Sequence, residues 1–529
     1  MSKSEAPPHP APARDESGHE SRDGFRHEPV TPGRRWAVLA VLSTSLLLCG
    51  IDLTVLHVAV PSMTRDLHPS GAQLLWIVDV YSLTLASLLV TCGTLGDRIG
   101  RKRMVLSGFA VFGLASAVAA FSSTTAQLIA ARVALGAGAA MIMASTVAVI
   151  RVVFTDDRER AVAIGVWTAA HSVGATIGPL VGGLVTERWG WGAVFLINVP
   201  IALVILAVGA RVIPESKNPS PRHWDLAGVA LSVTGLAGAV YALKRAGESL
   251  TVSWPVAVSA AAGAFLLFLF VRRQRRLAEP LLDFSLFAGR RFSTATVCVI
   301  SCFGSYVALL FFLTQWLQQT GGFSPLRAGL ALMPLAAANA VGAATAPWLS
   351  ARWGNRWSLT GSLAAFAAAL LLLALVGDSG VYGSLIATML IAGYGAGAVM
   401  TLGADSIMSA AAPERSGEAA AIQETSFELG AGLGVAVLGT ALTATYRLTL
   451  PSALPGLTPH ERSAVQQSFA GAEGAADGLG TVAARQVMSA ARHAYDQGFA
   501  VVAAIAAGGL ALTAALAAFA LRPAGRKAR

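Results

Sequence analysis

The sequence predicts an all-α polytopic membrane protein, and three observations lead there. Hydrophobic residues make up 54% of the 529 positions and charged residues only 13%, about half the charged share usual in soluble domains. Apolar runs of about 18 residues or more, each long enough to cross a bilayer as a helix, recur from Trp36 to Leu521, and the mean hydropathy is +0.61. Lys and Arg crowd into alternate connecting segments such as "DRIGRKR" (97–103), "RERA" (158–161) and "RRQRR" (272–276). That asymmetry marks the cytoplasmic side of a membrane protein.

Taken in order, residues 1–33 are rich in Pro, His, Glu and Arg without an apolar core, and read as a disordered cytoplasmic tail. No signal peptide is expected, because the first span begins at Trp36. Fourteen spans are expected, at 36–60, 74–95, 104–122, 126–150, 161–185, 193–213, 225–243, 252–271, 292–314, 328–350, 358–376, 383–411, 419–445 and 497–521. Both termini are then cytoplasmic, and the basic tail 522–529 lies inside. The net charge of +10 follows from this topology, so no nucleic-acid partner is expected. Residues 446–496 form a long polar external loop, with short helices around 461–469 and 483–494. Cys49, Cys92, Cys298 and Cys302 all fall inside spans, which suits small apolar packing rather than a disulfide framework or a metal site.

An internal repeat divides the chain. "GAGAAM" (136–141) recurs as "GAGAVM" (395–400), and "LGDRIGR" (95–101) has a degraded echo in "LSARWGN" (349–355). Gly174 and Gly178 correspond to Gly430 and Gly434 at nearly the same offset. The expected units are a first six-helix bundle at 34–215, two inserted helices at 216–276 and a second six-helix bundle at 277–521. Parallel six-helix repeats with a site between the halves are a transporter design.

Several motifs then carry chemistry. In "GTLGDRIGRKRM" (93–104), Gly93, Gly96 and Gly100 allow close helix approach and a sharp turn. Asp97 can face a helix N-terminus or a basic partner, while Arg98 and Arg101 lie at the lipid surface. This stretch resembles the signature loop of the major facilitator superfamily. The resemblance implies the major facilitator fold and a cytoplasmic latch that stabilises the outward-facing state; a plain positive-inside anchor is the alternative. "GATIGPLVGG" (174–183), with Gly174, Gly178, Pro179, Gly182 and Gly183, resembles the superfamily's antiporter motif. Its glycines also suit ordinary close helix packing. "RVALGAG" (132–138) resembles the span-4 motif, whose arginine the family implicates in proton coupling. "GIDLTVLHVAVP" (50–61) and "WGWGAVFLINVP" (189–200) resemble the fourteen-span drug:proton antiporter branch, with Ile51 and His57 departing from its usual Leu and Asn. "WIVDVYSL" (76–83) resembles the quaternary-ammonium and dye efflux pumps of that branch.

Depth is an independent guide. At about 1.5 Å per residue, Asp52, Asp79 and Arg132 lie roughly 12, 8 and 9 Å below the outer ends of their spans. Two carboxylates and one guanidinium in one layer suit a proton-coupling site, because Arg132 can pair with one acid and leave the other to titrate. A static Asp–Arg pair holding spans 1 and 4 together is the alternative. Glu424 and Glu428, spaced i,i+4, share one face of span 13; they can attract cations or simply line a polar vestibule. Asp405 reads as a cap or an interfacial group. Span 9 offers Phe303, Tyr306, Phe311, Phe312 and Trp316 with Gln315. Aromatic rings beside carboxylates suit lipophilic cations, although some of these rings belong to the interfacial belt. Tyr306, Gln315 and Tyr394 join Asp79, Glu424 and Glu428 as candidate substrate-binding residues; His57 leaves a titratable ring near the outer end of span 1 that can alter the local proton chemistry, and His171 stands open between packing and a role in the cleft.

The resemblance thus implies a proton-coupled efflux pump in the cytoplasmic membrane of a bacterium. It would export small lipophilic or cationic compounds, such as quaternary ammonium compounds and dyes, as a monomer surrounded by membrane lipids. No cofactor or metal is expected, the proton gradient being the energy source. A dedicated exporter of an endogenous antibiotic or metabolite is one alternative, and a non-transporting receptor or structural protein on the same scaffold is another. No nucleophile–base pair or nucleotide loop stands out, so an enzyme is not expected.

Overall fold

The computed structural model describes residues 32–216, 225–249, 253–277, 280, 284–376, 382–410, 416–451, 454 and 456–522. The expected tails, apart from residues 32, 33 and 522, lie outside the described residues. The first half holds α1 (Pro32–Leu67), α2 (Gly71–Ile99), α3 (Arg101–Ala120), α4 (Thr125–Val153), α5 (Asp157–Trp189), α6 (Ala193–Leu196) and α7 (Asn198–Val212). Two further helices follow, α8 (Leu226–Ser249) and α9 (Trp254–Gln274). The second half holds α10 (Arg290–Gln319), α11 (Pro325–Ala331), α12 (Met333–Val376), α13 (Tyr382–Ala410), α14 (Ser416–Thr449), α15 (Pro459–Gln467), α16 (Phe469–Asp477) and α17 (Thr481–Ala520).

Among the described residues, 13 helical stretches are long and apolar enough to cross a membrane. One of them, Pro325–Leu375, runs for 51 residues, about 77 Å at helical rise, more than twice a bilayer core. Its helix leaves the helical region at Gly354, with φ 76° and ψ 152°. There Asn355 donates to Ser406 Oγ and Arg356 Nε donates to Ala518 O at 2.8 Å, whereas at the start of the stretch Leu326 N donates to Glu187 at the opposite end of the bundle. Gly354 therefore separates two passes, which restores the fourteen expected spans. The first half makes the same turn at Gly100, with φ 110° and ψ 133° between α2 and α3. Both positions favour glycine because an L side chain is strained at positive φ. They occupy equivalent places in the two echoing stretches, so the repeat seen in the sequence is a repeat of backbone geometry.

The same symmetry governs packing. In the first half, α1 lies so close to α5 that a Cβ on Gly174 would meet Leu47 O, and one on Gly178 the Thr54 side chain. In the second half, a Cβ on Gly304 of α10 would stand 2.6 Å from Gly430 O of α14. Ridge-free faces of small residues let membrane helices approach this way. The two halves meet along a seam where α2 packs on α14, with Leu83 against Gly432 and Leu75 against Gly439, and where Gly183 and Pro179 of α5 pack on Pro325 and Gly329.

Two expectations need correction. The short helix expected at 483–494 is the beginning of α17, so the last span extends back to Thr481 rather than starting at 497. Its polar first turns are held by a second small core in which Val487, Ala491, Ala494 and Tyr495 pack on Val465, Phe469 and Ala472 of α15 and α16. The seventh span also runs past its expected end at 243 to Ser249, which carries Lys244 into the protein interior.

Candidate functional site

Arg132 and Asp52 meet as the depth argument expects. Arg132 Nη1 donates to Asp52 Oδ2 at 2.9 Å, and both residues are about 1% exposed. The other carboxylate oxygen accepts from Asn198 Nδ2 at 2.9 Å, and Asn198 also donates to Ser116 Oγ. Arg132 further donates through Nε to Ile77 O and through Nη2 to Val78 O, at 3.1 and 3.3 Å. The Tyr81 ring lies under its guanidinium, 4.6 Å from centroid to Cζ. One guanidinium thus ties α1, α2 and α4 together, and Asn198 adds α7. This arrangement satisfies both Asp52 oxygens.

Asp79 follows directly after the two carbonyls that Arg132 grips, yet its partner comes from elsewhere. Lys244 Nζ of α8 donates to Asp79 Oδ1 at 2.8 Å, with both residues 2% exposed. The same ammonium stands 3.9 Å from the centroid of the Trp76 ring. Arg132 pairs with Asp52 and not with Asp79, and the second acid finds in Lys244 a base that the depth argument did not include. Asp79 Oδ2 remains buried without a hydrogen-bond partner among the described residues. Trp76, Asp79 and Leu83 fall at i, i+3 and i+7, on one stripe of α2. That stripe faces α8, where Val240 packs with Leu83 of the first half and Ala436 of the second.

The remaining candidates disperse. Glu428 is buried, with Oε2 without a partner among the described residues; Glu424, one turn earlier, is half-buried. Gln315 accepts from Gln319 and lines a cavity of about 60 Å³ beneath α15 and α16, together with Phe311, Thr443 and Tyr446. Tyr306 is buried on the same helix as Gln315. Tyr394 accepts from Thr345 Oγ1 at 3.0 Å, inside the second half. His57 stands edge-on to Phe311 across the seam at 5.5 Å, with Nδ1 buried and without a partner among the described residues. His171 of α5 abuts α1, its carbonyl lying where a Cβ on Gly50 would fall.

The glycine-rich loop is docked on the first half. Arg101 N donates to Ser216 O and its Nη1 to Ala148 O, at 2.9 and 3.1 Å. Arg103 pairs with Glu215 at 3.7 Å, Arg98 is exposed, and a Cβ on Gly96 would stand 3.1 Å from Ser145 Oγ. Around Gly93 there is more room, with Ala144 at 4.0 Å. The Asp97 side chain lies outside the described residues. At the opposite end, Glu187 Oε2 of α5 accepts from Ser324 Oγ at 2.8 Å and Leu326 N at 3.1 Å, and Gln318 Nε2 of α10 donates to Val58 O at 3.0 Å. The two halves are closed against each other there. Among the described residues no group of three or more His, Cys, Asp or Glu could hold a metal ion.

Lys244 and Asn198 were not foreseen. Asn198 stood in plain view inside "WGWGAVFLINVP" (189–200). For Lys244 the available signal was indirect: a buried acid at position 79 with no base on its own half to spare.

Comparison with known proteins places this geometry in context. The family model described as Major Facilitator Superfamily matches residues 42–435. The multidrug efflux pump LfrA of Mycolicibacterium smegmatis is 40% identical over 482 residues, covering 90% of this chain and 94% of LfrA. The methyl viologen resistance protein SmvA of Salmonella typhimurium is 36% identical over 464 residues, covering 87% of this chain and 93% of SmvA. Among solved structures, a bacterial homolog of the human lysosomal transporter Spinster, inward-facing and unoccupied, aligns with a TM-score of 0.64. It is 18% identical and covers 92% of this chain and 98% of its own, which is a likeness of fold.

Proposed function

The chain belongs to the Major Facilitator Superfamily, and on that premise we propose that it is a proton-coupled antiporter exporting lipophilic, often cationic compounds across a bacterial cell membrane. The observation that carries the reading is the buried Asp79 carboxylate beside the Trp76 ring at the seam between the halves. A carboxylate with an aromatic face is the chemistry that recognises an organic cation. Burying it in a membrane span is costly unless it works on a charge. The names of the relatives agree: SmvA confers resistance to methyl viologen, an organic dication, and LfrA is a multidrug pump.

In this reading the halves rock about the seam. The contacts at Glu187–Ser324 and Val58–Gln318 lie at the end taken as the outer one, and they must part before cargo leaves on that side. Cargo binds against Asp79; once the outer side opens, a proton takes its place on the carboxylate and the cation leaves. Linkage requires cation and proton to lower each other's affinity. Asp52, with both oxygens engaged, positions Arg132 and through it the Ile77–Asp79 turn of α2. The loop from Gly93 to Arg103 is the latch of the opposite state, Gly174, Gly178 and Gly182 form the closely packed face of α5 on α1, and Pro179 and Gly183 pack on Pro325 and Gly329 across the seam. Glu428, buried on α14, draws cations toward the seam, while Gln315 lines a separate cavity beneath α15 and α16.

The test is transport in proteoliposomes with an imposed proton gradient, using ethidium and the neutral dye Nile red. Wild type should move ethidium only with the gradient present, Asp79→Asn should lose gradient-driven ethidium transport while still binding Nile red, and Asp52→Asn should slow transport of both. Normal ethidium transport by Asp79→Asn would sink this reading.

A further inference from the structure

We propose that Lys244, on the first inserted helix, is a tethered internal cation that occupies the aromatic and carboxylate seat of Asp79 and Trp76, so that a cationic cargo binds by displacing it. This rests on the reading that Asp79 recognises cationic cargo. It adds a residue from outside the two six-helix halves, and with it a function for the inserted pair.

Three observations support it. The Lys244 ammonium makes at once the two contacts that an organic cation would make, 2.8 Å to Asp79 Oδ1 and 3.9 Å to the Trp76 ring centroid. Two cations cannot share that seat, because like charges a few ångströms apart in a poorly screening interior repel strongly. The seat is also only half used, since Asp79 Oδ2 is buried and has no partner among the described residues. A purely structural pair would gain from satisfying both oxygens, as Asp52 does with Arg132 and Asn198. Finally, α8 lies across the seam, its Val240 packed between Leu83 of α2 and Ala436 of α14. Lys244 is one helical turn further on, on the same face. A rocking motion that shifts α2 against α14 must therefore disturb the anchorage of Lys244.

The consequence is competition. With Lys244 seated, the fraction of protein able to take a cation is reduced, and the apparent affinity falls in proportion. A neutral cargo makes no claim on the seat and is indifferent to the lysine. When a cation arrives, the ammonium leaves Asp79, and α8 is released from the first half at the seam. A static bolt between α8 and α2 would behave differently, since its loss would weaken the protein without strengthening any ligand.

The experiment is equilibrium binding of ethidium and Nile red to purified protein in lipid nanodiscs, for wild type, Lys244→Met, Lys244→Arg and Asp79→Asn. Lys244→Met should bind ethidium about tenfold more tightly, Lys244→Arg should match wild type, and Nile red affinity should be the same in wild type and both Lys244 variants. Unchanged or weaker ethidium binding by a Lys244→Met protein that still binds Nile red normally would overturn the proposal. Wild type gives a second readout if that variant does not fold. Saturating ethidium should speed acylation of Lys244 by an amine-reactive ester, read by mass spectrometry, and no acceleration would overturn the displacement. Ethidium binding by Asp79→Asn at wild-type strength would remove the underlying reading as well. Weakened binding by Asp79→Asn with unchanged binding by Lys244→Met would remove the tethered cation alone.

Discussion

Asp52 has both carboxylate oxygens engaged, by Arg132 and Asn198, whereas Asp79 has one engaged, by Lys244. That difference assigns them different work. Removing one member of a buried ion pair leaves an uncompensated charge, which costs about 3–5 kcal/mol. Arg132→Met should therefore lower thermal stability in detergent markedly, by about that amount, and a double variant with Asp52→Asn should recover part of the loss. Strict additivity of the two changes would mean that they do not act through each other. Asn198→Ala strands one Asp52 oxygen and the Ser116 hydroxyl together, so a milder loss of about 1–3 kcal/mol is expected from the same melting measurement. The Asp52–Arg132 pair was legible in the sequence because helical rise fixes depth, and two residues of opposite charge at one depth have few other solutions. Lys244 was not legible. Its neighbours Arg245, Gly247 and Glu248 give the segment the composition of a loop, and hydropathy stops counting a span where apolar residues stop. The helix continues because Val240 and Leu243 keep packing on α2 and α14.

At the scale of elements, the repeat was the most informative signal, and Gly100 and Gly354 show why. "LGDRIGR" and "LSARWGN" share few side chains, but both require the backbone to turn between two antiparallel spans, and both keep glycine where φ is positive. Substituting that glycine forces an L residue into a left-handed conformation at about 1–2 kcal/mol. Gly354→Ala should accordingly destabilise the second half, whereas Gly361→Ala, in a helix and with nothing within 4 Å of a new Cβ, should stabilise by about 0.4–1 kcal/mol. Melting curves of the two variants separate these outcomes; equal effects would mean that the turn at 354 is not under strain. The start of α17 was hidden for the opposite reason. Residues 481–496 are too polar for a span, and only their spacing at Val487, Ala491 and Ala494 reveals a face. That face is buried on α15 and α16, and the start of α15 is visible in the Thr458–Glu461 capping box.

Across the whole molecule, the closed contacts between halves gather at the end of the bundle opposite the Gly100 and Gly354 turns. Glu187 binds Ser324 and the backbone of Leu326, Gln318 binds Val58, and Gly71 at the start of α2 abuts Gln467 O of α15. If transport proceeds by rocking, these contacts must part in every cycle, because a path to that side opens only when α1 and α5 separate from α10 and α11. Bonds within one half have no such obligation, as with Arg35 and Glu159, which pair at 3.2 Å between α1 and α5. Two engineered cysteine pairs distinguish the cases, and the native cysteines at 49, 92, 298 and 302 are all buried. Joining Glu187→Cys to Ser324→Cys with a short, disulfide-based bifunctional reagent should stop ethidium transport in proteoliposomes, and reductant should restore it. Joining Arg35→Cys to Glu159→Cys in the same way should leave transport intact, since that link travels with the first half as one body. Continued turnover with 187 and 324 linked would show that the halves need not part at this end, and alternating access about this seam would then be wrong.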